Sequence, residues 1–371
     1  MEEIRRFFEC LIPVTACNLR CSYCYVIQRD NRKMKMPELK YSPERIGAGL
    51  SKERLGGVCY FSICGAGETL LPEETVQITR EILKQGHYVN ITTNGTLGKR
   101  INELMQLPTD QKERLHFAFS LHYLELQKRN MLDAFFSNVR KVRNNGCSFV
   151  VQLNLCDEYE PYLDEILEKC MHEIGAFPQL AATRKENDLT RDIELLTSHT
   201  VEEYRRIGKK FDSPLFDFTM KNFGKKQMGY CYAGDWGGQL NLATGVYSRC
   251  YASRIKQDIF KDIEKPISFC AVGRHCKSLF CMNSSHFLAL GMIPDQYQDV
   301  TYAGLRNREE GHWYSEKMKL ALSTKLEHNN PEYNIKMKLK SELYAVADAG
   351  LDKIYKARKA FRNRKGKNDA K

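Results

Sequence analysis

Short apolar runs alternate with helical patterns through the first half of this chain, and that alternation is the strongest constraint on its fold. Strand–helix–strand units with right-handed crossovers build parallel sheets covered by helices. Six such units are too few to close an eight-stranded barrel. We therefore expect an α/β fold, a partial and open (β/α)6 barrel. The six predicted strands lie in CLIPVTAC, GVCYFSIC, HYVNITTNG, LHFAFSLHY, SFVVQLNLC and QLAATR.

Capping residues mark the helices between these strands. Ser42 and Pro43 suit an N-cap and a first helical position, and Pro72 and Gly86 bracket a second helix. Polar and glycine-rich residues follow the apolar strands, and in such sheets the strand ends gather a shared site at one edge. Further helices are predicted around residues 101–105, 134–143 and 162–174.

Three predicted segments follow a barrel over residues 1–195. Residues 196–227 include a bridging helix, residues 228–292 hold five cysteines and little helical period, and residues 293–371 become helical and basic. In the middle segment, QLNLATGVYSRC contains two alternating runs joined by a turn at Ala243–Gly245. This pattern predicts a small cysteine-rich domain built on a β-hairpin, followed by a helical C-terminal tail.

Composition is typical of a globular cytoplasmic protein. Of 371 residues, 42% are apolar and 28% are charged, and no apolar run approaches the ~20 residues that a membrane span needs. The start, MEEIRRFFEC, lacks the apolar core of a secretory signal. The net charge of +11 is concentrated in residues 355–371. That tail predicts a solvated helix end, with contact to nucleic acid or an acidic surface as the alternative.

Three of the fourteen cysteines stand within eight residues, in CNLRCSYCY. In a reducing compartment, clustered thiols more often bind metal than form disulfides. Cys17, Cys21 and Cys24 can hold three irons of a [4Fe–4S] cluster, which leaves one iron open to a small ligand. Zinc is the alternative metal, although a structural zinc site requires four ligands.

The loop CNLRCSYCY resembles the cluster loop of the radical SAM superfamily. The resemblance implies that Cys17, Cys21 and Cys24 hold a [4Fe–4S] cluster whose open iron is chelated by S-adenosylmethionine. An electron from the cluster, supplied by a donor such as flavodoxin or ferredoxin, would cleave this cofactor to a 5′-deoxyadenosyl radical that abstracts a hydrogen atom from substrate. The chain would then be an oxidoreductase-type enzyme with a barrel of the radical SAM type.

The same resemblance implies cofactor contacts at the strand ends. The segment GAGE resembles the family's glycine–glycine–glutamate motif, with Ala66 where a glycine is usual. Gly67 and Glu68 match the motif, and Glu68 would accept a hydrogen bond from the methionine ammonium. Tyr23 would lie near the adenine. The later strands would add Asn94, a ribose contact from Ser120, the weaker candidate Asn154, and Arg184 facing the methionine carboxylate.

A second cysteine group begins with the spacing C-x13-G-x4-C, from Cys231 through Gly245 to Cys250. This spacing is similar to the opening of the SPASM and twitch extensions of radical SAM enzymes. A full SPASM extension carries more cysteines and two auxiliary clusters, whereas this segment has five cysteines. The resemblance therefore favours a single auxiliary cluster.

One four-thiolate [4Fe–4S] site is the simplest interpretation of these five cysteines. Cys270 is then the spare, and His275 or His286 could replace a thiolate. Zinc is the alternative here too, because thiolates suit both metals. The expected ligands are Cys231, Cys250, Cys276 and Cys281.

Substrate would bind between the mouth of the barrel and the cluster domain. In LHFAFSLHY, His122 shares one strand face with Ser120 and is placed toward the mouth. A thiol near the substrate, from Cys64 or Cys156, could donate a hydrogen atom in an epimerisation. The candidate catalytic side chains are His122, Asp235, Cys64 and Cys156, with Tyr232 beside them.

Three substrate classes stay open. A peptide or protein is the first, because many enzymes with SPASM-like extensions modify peptides. A carbohydrate or other small metabolite, undergoing epimerisation or dehydrogenation, is the second, and the first strand's early start favours it because little room is left for a leader-binding domain. An RNA-binding or RNA-modifying role is the third, and only the basic tail suggests it.

Overall fold

A computed structural model of the chain describes residues 3–186, 193–251, 253–274, 276–278, 280–281 and 283–368. Its main sheet has nine strands in the order β11-β10-β9-β1-β2-β3-β4-β5-β6. The strands are β1 (Ile4–Ile12), β2 (Val58–Gly65), β3 (Tyr88–Thr93), β4 (Leu115–Ser120), β5 (Ser148–Leu155), β6 (Gln179–Ala182), β7 (Arg184–Glu186), β8 (Ile193–Leu195), β9 (Gly237–Asn241), β10 (Val246–Ser248) and β11 (Lys256–Asp258). Strands β7 and β8 form a separate antiparallel pair.

The helices fall between the strands of the first half and dominate the end of the chain. They are α1 (Tyr25–Gln28), α2 (Pro43–Gly49), α3 (Lys52–Leu55), α4 (Glu73–Lys84), α5 (Gly98–Met105), α6 (Thr109–Lys112), α7 (Tyr123–Lys128), α8 (Leu132–Asn144), α9 (Leu163–Ile174), α10 (Val201–Gly208), α11 (Pro214–Asn222), α12 (Ser284–Phe287), α13 (Tyr302–Arg306), α14 (Glu316–Ser323), α15 (Leu326–Asn329) and α16 (Ile335–Asn368). Short 3₁₀ helices span Asp157–Tyr162 and Lys209–Phe211.

The predicted partial barrel is confirmed. Strands β1 to β6 pair in parallel and in sequence order, as successive crossovers through helices require. The strands are almost continuously buried, for example over Val58–Ile63 of β2, which is typical of parallel sheets covered on both faces. Ser42 accepts a hydrogen bond from the Arg45 amide, so it caps α2 as predicted.

The first strand lies earlier in the chain than predicted. It spans Ile4–Ile12 and not residues 10–17. Pro13 follows it and has no amide hydrogen for a sheet, so residues 13–17 leave the sheet as a loop. The side chains of Glu9 and Leu11 consequently belong to the strand, where alternate residues face the same side.

The predicted hairpin is also confirmed, and it extends the barrel. Strands β9 and β10 are antiparallel, and Gly245 adopts a positive φ of 74° in the turn between them. Strand β9 pairs in parallel with β1, with Glu9 opposite Gln239. The cysteine-rich segment is therefore built onto the edge of the barrel sheet, although the predicted domain limits themselves stay a prediction.

The C-terminal segments close the end of the barrel where the strands begin. The Phe149 amide donates to the Trp313 carbonyl oxygen at 2.8 Å, near the start of β5. The Asn329 side chain donates to the Ile4 carbonyl oxygen at 2.8 Å, at the start of β1. The opposite end, where the strands finish, carries the polar loops. None of the helices in the described ranges is long and apolar enough to cross a membrane.

Candidate active site

The three-cysteine loop lies where β1 finishes, and its sulfur atoms influence one another. Burial and the neighbouring thiols Cys24 and Cys17 raise the pKa of Cys21 to about 12. Burial likewise raises the pKa of Cys17, and the Leu19 amide donates to its sulfur at 3.5 Å. Thiols in this state give up their protons only when a cation replaces them, so metal binding would be coupled to proton release.

Within the described ranges, the candidate ligand atoms of Asp157, Glu160 and His199 lie within 4.8 Å of one another, and no three cysteine sulfurs lie that close together. Zinc and an iron–sulfur cluster both bind thiolates, so metal analysis of the reconstituted protein decides between them.

The GAGE loop after β2 packs directly on the backbone that leads into Cys17. The Gly67 amide donates to the Val14 carbonyl oxygen at 2.6 Å, and the Glu68 amide donates to that of Ala16 at 2.9 Å. A β-carbon on Gly67 would clash with the Ala16 carbonyl oxygen, at less than 3.0 Å. Glycine is required here because two backbones meet without space for a side chain.

Glu68 is buried, and both of its carboxylate oxygens already accept hydrogen bonds. Oε1 accepts from the Leu70 amide at 3.0 Å and from the Thr93 hydroxyl at 2.6 Å. Oε2 accepts from the Asn94 amide at 2.8 Å. Burial raises the pKa of Glu68, and these three hydrogen bonds oppose that shift. The carboxylate therefore ties the ends of β2 and β3 together, a role that the predicted contact with the methionine ammonium did not include.

Asn94 continues this connection to the cysteine loop. Its side-chain nitrogen donates to Asn18 Oδ1 at 2.8 Å and lies 3.9 Å from the Cys17 sulfur. Its Oδ1 accepts from the Thr96 amide and hydroxyl at 3.1 and 2.7 Å. Glu68 and Asn94 thus place the end of β3 against the first cysteine of the loop.

Tyr23 and His122 meet on the other side of the loop. The Tyr23 hydroxyl lies 2.7 Å from His122 Nδ1 and 3.0 Å from the Tyr159 hydroxyl. Burial lowers the pKa of His122 to about 4, so the imidazole is neutral near pH 7. Cys156 is buried beside this group, and burial raises the pKa of its thiol to about 12. His122 and Cys156 therefore belong to a polar cluster next to the third cysteine, Cys24.

The remaining predicted cofactor residues lie around the same mouth. Ser120 ends β4, and Asn154 faces the same side of the sheet near the end of β5. Arg184 lies beyond β6, which ends at Ala182, and begins the separate strand β7. The Gln28 side chain donates to the Arg184 carbonyl oxygen at 3.0 Å. These positions bring Ser120, Asn154 and Arg184 to the open edge but do not test their predicted contacts.

The sequence profile of the Radical SAM superfamily matches residues 11–170. This range contains the three cysteines, GAGE and the first five strand ends. The matched region is a radical SAM domain. Its cofactors are a [4Fe–4S] cluster and S-adenosylmethionine, and the three thiols of Cys17, Cys21 and Cys24 on one loop fit the cluster.

The chain is also similar to individual proteins. The chain is 30% identical over 86 residues to the 7-carboxy-7-deazaguanine synthase of Methanospirillum hungatei, which is 23% of this chain and 33% of that relative. Streptococcus suis SuiB bound to S-adenosylmethionine has a TM-score of 0.49 at 15% identity, over 70% of this chain and 64% of that chain. Native anSMEcpe with bound AdoMet has a TM-score of 0.45 at 13% identity, over 95% of this chain and 100% of that chain. The chain thus spans about a third of the curated relative and less than two thirds of SuiB.

Beside the radical SAM domain, four of the five later cysteines line one cavity. The cavity is small, about 50 Å³, and its lining includes Cys231, Cys250, Cys276 and Cys281. Burial and the thiols of Cys250 and Cys276 raise the pKa of Cys231 well above that of an ordinary thiol. Burial and the neighbouring thiols raise the pKa of Cys281 in the same way. These are the four expected ligands, brought together from three separate segments.

The other predicted ligands lie elsewhere. Cys270 is buried, and its sulfur lies 3.7 Å from the Ser341 hydroxyl on α16; that it is the spare cysteine stays a prediction. His286 Nδ1 lies 3.2 Å from the Tyr302 hydroxyl, and its ring packs on Phe7 of β1. His275 lies outside the described residues.

Asp235, a predicted catalytic residue, is engaged in structural contacts, and its catalytic role stays a prediction. Its Oδ1 accepts from Arg6 at 2.8 Å and its Oδ2 from the Tyr333 hydroxyl at 2.7 Å. Both oxygens are thus used to join the start of β1 to the C-terminal region. Tyr232 stacks on Trp236 with 3.7 Å between the ring centroids and is likewise part of the core.

Cys64 and an unpredicted residue, Glu9, face the interior of the barrel. Leu11 pairs with Cys64 and Glu9 with Ser62 in the register of β1 and β2. We call this interior the lumen, and it is bounded by Glu9, Leu11, Cys64, Tyr251 and Asn283. Sequence analysis missed Glu9 because it placed the first strand after this residue. The signal available was the charged residue between Phe8 and Cys10, in an otherwise apolar stretch.

Proposed function

We propose that this protein is a radical SAM enzyme that abstracts a hydrogen atom from an unactivated C–H bond of a substrate held in the lumen. The observation that carries this proposal is the three-thiol loop packed on the GAGE loop, at the open end of a parallel partial barrel. When bound, the cluster supplies the electron that cleaves S-adenosylmethionine and so generates the hydrogen-abstracting radical.

The residues of the chain would bind, orient and shield the reacting groups. Cys17, Cys21 and Cys24 would hold the cluster and leave one iron open. The backbone of Gly67 permits close approach at the cluster loop, and Glu68 fixes the strand ends around it. The neutral imidazole of His122 lies within hydrogen-bond distance of the Tyr23 hydroxyl, next to the third cysteine.

A second [4Fe–4S] cluster on Cys231, Cys250, Cys276 and Cys281 is part of the proposal. It is supported by the convergence of the four thiols on one cavity. Strand β9, which follows Cys231, pairs with β1, and β1 leads into the radical SAM loop. The second cluster could pass electrons, contact substrate or stabilise the fold.

A peptide is the substrate that we propose first, with a carbohydrate or another small metabolite second. The lumen supports a peptide through its carboxylate and its amide side chains, Glu9, Gln239 and Asn283. Such groups pair with the N–H and C=O groups of a peptide backbone. A short peptide encoded beside this gene would be the first substrate to assay.

The test is to replace Cys17, Cys21 and Cys24 together by Ala in anaerobically reconstituted protein. The parent should carry about eight irons, four for each cluster, and the triple variant about four. Formation of 5′-deoxyadenosine from S-adenosylmethionine and a chemical reductant should be lost. Unchanged 5′-deoxyadenosine formation would refute the function, and zinc retained in place of iron would refute only the auxiliary cluster.

A further inference from the structure

Glu9 is a buried carboxylate at the centre of the lumen. It stands between Ser62 of β2 and Gln239 of β9 in the register of the sheet. Asn283 donates a hydrogen bond to its Oε1. Burial raises the pKa of Glu9 to about 7, while hydrogen bonding from the side chains of Tyr251 and Gln239 and the positive charge of Arg184 lower it. Glu9 is therefore in contact with both the radical SAM barrel and the auxiliary segment.

The second carboxylate oxygen of Glu9, Oε2, is buried and has no partner at hydrogen-bond distance among the described residues. The Tyr251 hydroxyl and the Gln239 side chain lie close enough to lower the Glu9 pKa, but neither reaches a full hydrogen bond with Oε2. Arg184 forms no ion pair with Glu9 among the described contacts, although its charge also lowers the Glu9 pKa. Buried polar atoms are nearly always paired, so Oε2 is an acceptor that the described residues leave open.

Two other buried carboxylates in the same chain show what a structural role looks like. Glu68 accepts on both oxygens from the backbone and from Thr93. Asp235 also accepts on both, from Arg6 and from Tyr333. Glu9 differs from both because, among the described residues, only its Oε1 has a partner at hydrogen-bond distance. A purely structural carboxylate at this position would be expected to complete its hydrogen bonds as they do.

Side chains next to Glu9 are open to solvent. Leu11 is 38% exposed and Tyr251 is 43% exposed. Cys64 is likewise accessible to solvent, while its surroundings raise the pKa of its thiol to about 12. A substrate would enter beside these exposed side chains and displace them to reach Oε2, which is itself covered.

The partners of Glu9 connect it to the proposed auxiliary cluster. Tyr251 directly follows Cys250, and Asn283 is two residues beyond Cys281. Both residues also line the cavity that holds the four auxiliary thiols. The lumen in front of Glu9 and the cavity of the auxiliary cysteines therefore share walls.

We propose that Oε2 of Glu9 binds a cationic nitrogen of the substrate, an ammonium or a guanidinium, and so orients the substrate between the two cysteine sites. A carboxylate bonded to a cation is the strong form of this contact, particularly away from bulk water. This inference rests on the proposed function and narrows its substrate class to one that carries a basic group.

The experiment compares two probes of nearly equal shape, N-acetyl-lysine methylamide and N-acetyl-norleucine methylamide. Their affinities for reconstituted protein with S-adenosylmethionine bound are measured by ligand-observed NMR. The parent and the control Glu168→Gln, which changes an exposed residue of α9, should bind the lysine probe about tenfold more tightly than the norleucine probe. Glu9→Gln should lose that preference, and Glu9→Asp should keep part of it.

Iron content and melting temperature show whether Glu9→Gln has folded, and Glu9→Asp provides a second variant if it has not. A lysine preference that survives in Glu9→Gln would overturn the proposal, and so would a parent without any preference. Formation of 5′-deoxyadenosine by the parent is assayed without either probe. If it is absent, the proposed function fails, whereas the probe affinities still test Glu9.

Discussion

Gly67 and Ala16 approach so closely that a β-carbon on Gly67 would lie less than 3.0 Å from the Ala16 carbonyl oxygen. Ala16 directly precedes the first cysteine of the cluster loop, and Gly67 lies in the loop after the neighbouring strand. The two loops are therefore positioned by each other. Geometry at the three cysteines depends on a residue that contributes no side chain at all.

Replacing Gly67 by Ala should displace the cysteine loop. The new methyl group would meet backbone atoms that cannot move aside as a flexible side chain does, so we expect a destabilisation of about 1–3 kcal/mol. We also expect at least a tenfold loss of 5′-deoxyadenosine formation. Ala66→Gly is the matched control, since it restores the usual motif and should retain activity. Equal activity of Gly67→Ala and the parent would contradict the packing argument.

Glu68→Gln should weaken the site even though the shape of the side chain is retained. An amide has one acceptor oxygen, so its nitrogen would face either the Asn94 amide or the Leu70 amide as a second donor. One buried donor left unpaired costs about 1–3 kcal/mol. We expect a lower melting temperature together with weaker S-adenosylmethionine binding by equilibrium dialysis. Weaker binding at an unchanged melting temperature would instead favour a direct contact with the methionine ammonium.

Cys250→Ala and Cys270→Ala should differ sharply. Cys250 lines the auxiliary cavity, whereas Cys270 contacts Ser341 outside it. Loss of a ligand should lower the iron content toward four per chain and increase protease cleavage within residues 228–292, because metal binding and folding are coupled. Cys270→Ala should keep about eight irons. Equal iron loss in both variants would mean that Cys270 is a ligand.

Asp235→Ala should reduce stability without abolishing cleavage of S-adenosylmethionine. The substitution leaves Arg6 as a largely buried charge and removes the partner of Tyr333. Breaking a buried ion pair in this way costs about 3 kcal/mol. Chemical denaturation measures the cost, and 5′-deoxyadenosine formation at low temperature shows whether the chemistry persists. Full stability combined with lost substrate turnover would support the catalytic role predicted from sequence.

Glu9 should make the stability of the protein depend on pH between about 4.5 and 7. Its pKa rises from 4.5 to about 7 on folding, so the folded state holds the proton more tightly. The contribution of Glu9 to the free energy of unfolding is therefore fully present below pH 4.5. It decreases by at most about 3 kcal/mol as the pH rises to 7. Arg184, Tyr251 and Cys64 are the titratable groups that face it.

Melting temperatures of the parent and of Glu9→Gln, taken between pH 5.5 and 7.5, measure this effect. The melting temperature of Glu9→Gln should increase relative to that of the parent as the pH rises, since glutamine does not ionise. Glu168→Gln should follow the parent throughout. A difference between Glu9→Gln and the parent that does not vary with pH would show that Glu9 keeps an ordinary pKa.

Local sequence was sufficient to predict those features whose residues are close together in the chain. The spacing of Cys17, Cys21 and Cys24 places three thiols on one loop whatever surrounds them, and GAGE could be identified from its letters alone. The hairpin was predicted correctly because its turn and its alternating runs are contiguous. The beginning of β1 was missed because a charged Glu9 in an apolar run resembles an exposed strand end.

The sequence alone determined the order of strands and helices, the parallel barrel and the presence of two cysteine groups, because hydrophobic period and residue spacing act over short distances. Only the tertiary structure decided what each carboxylate does. Glu68 accepts from Leu70, Thr93 and Asn94, and Asp235 accepts from Arg6 and Tyr333, whereas Oε2 of Glu9 has no partner at hydrogen-bond distance among the described residues. Partners of these carboxylates lie up to 274 residues away in the chain. Whether a buried carboxylate is structural or open to a ligand depends on which donors folding brings to it.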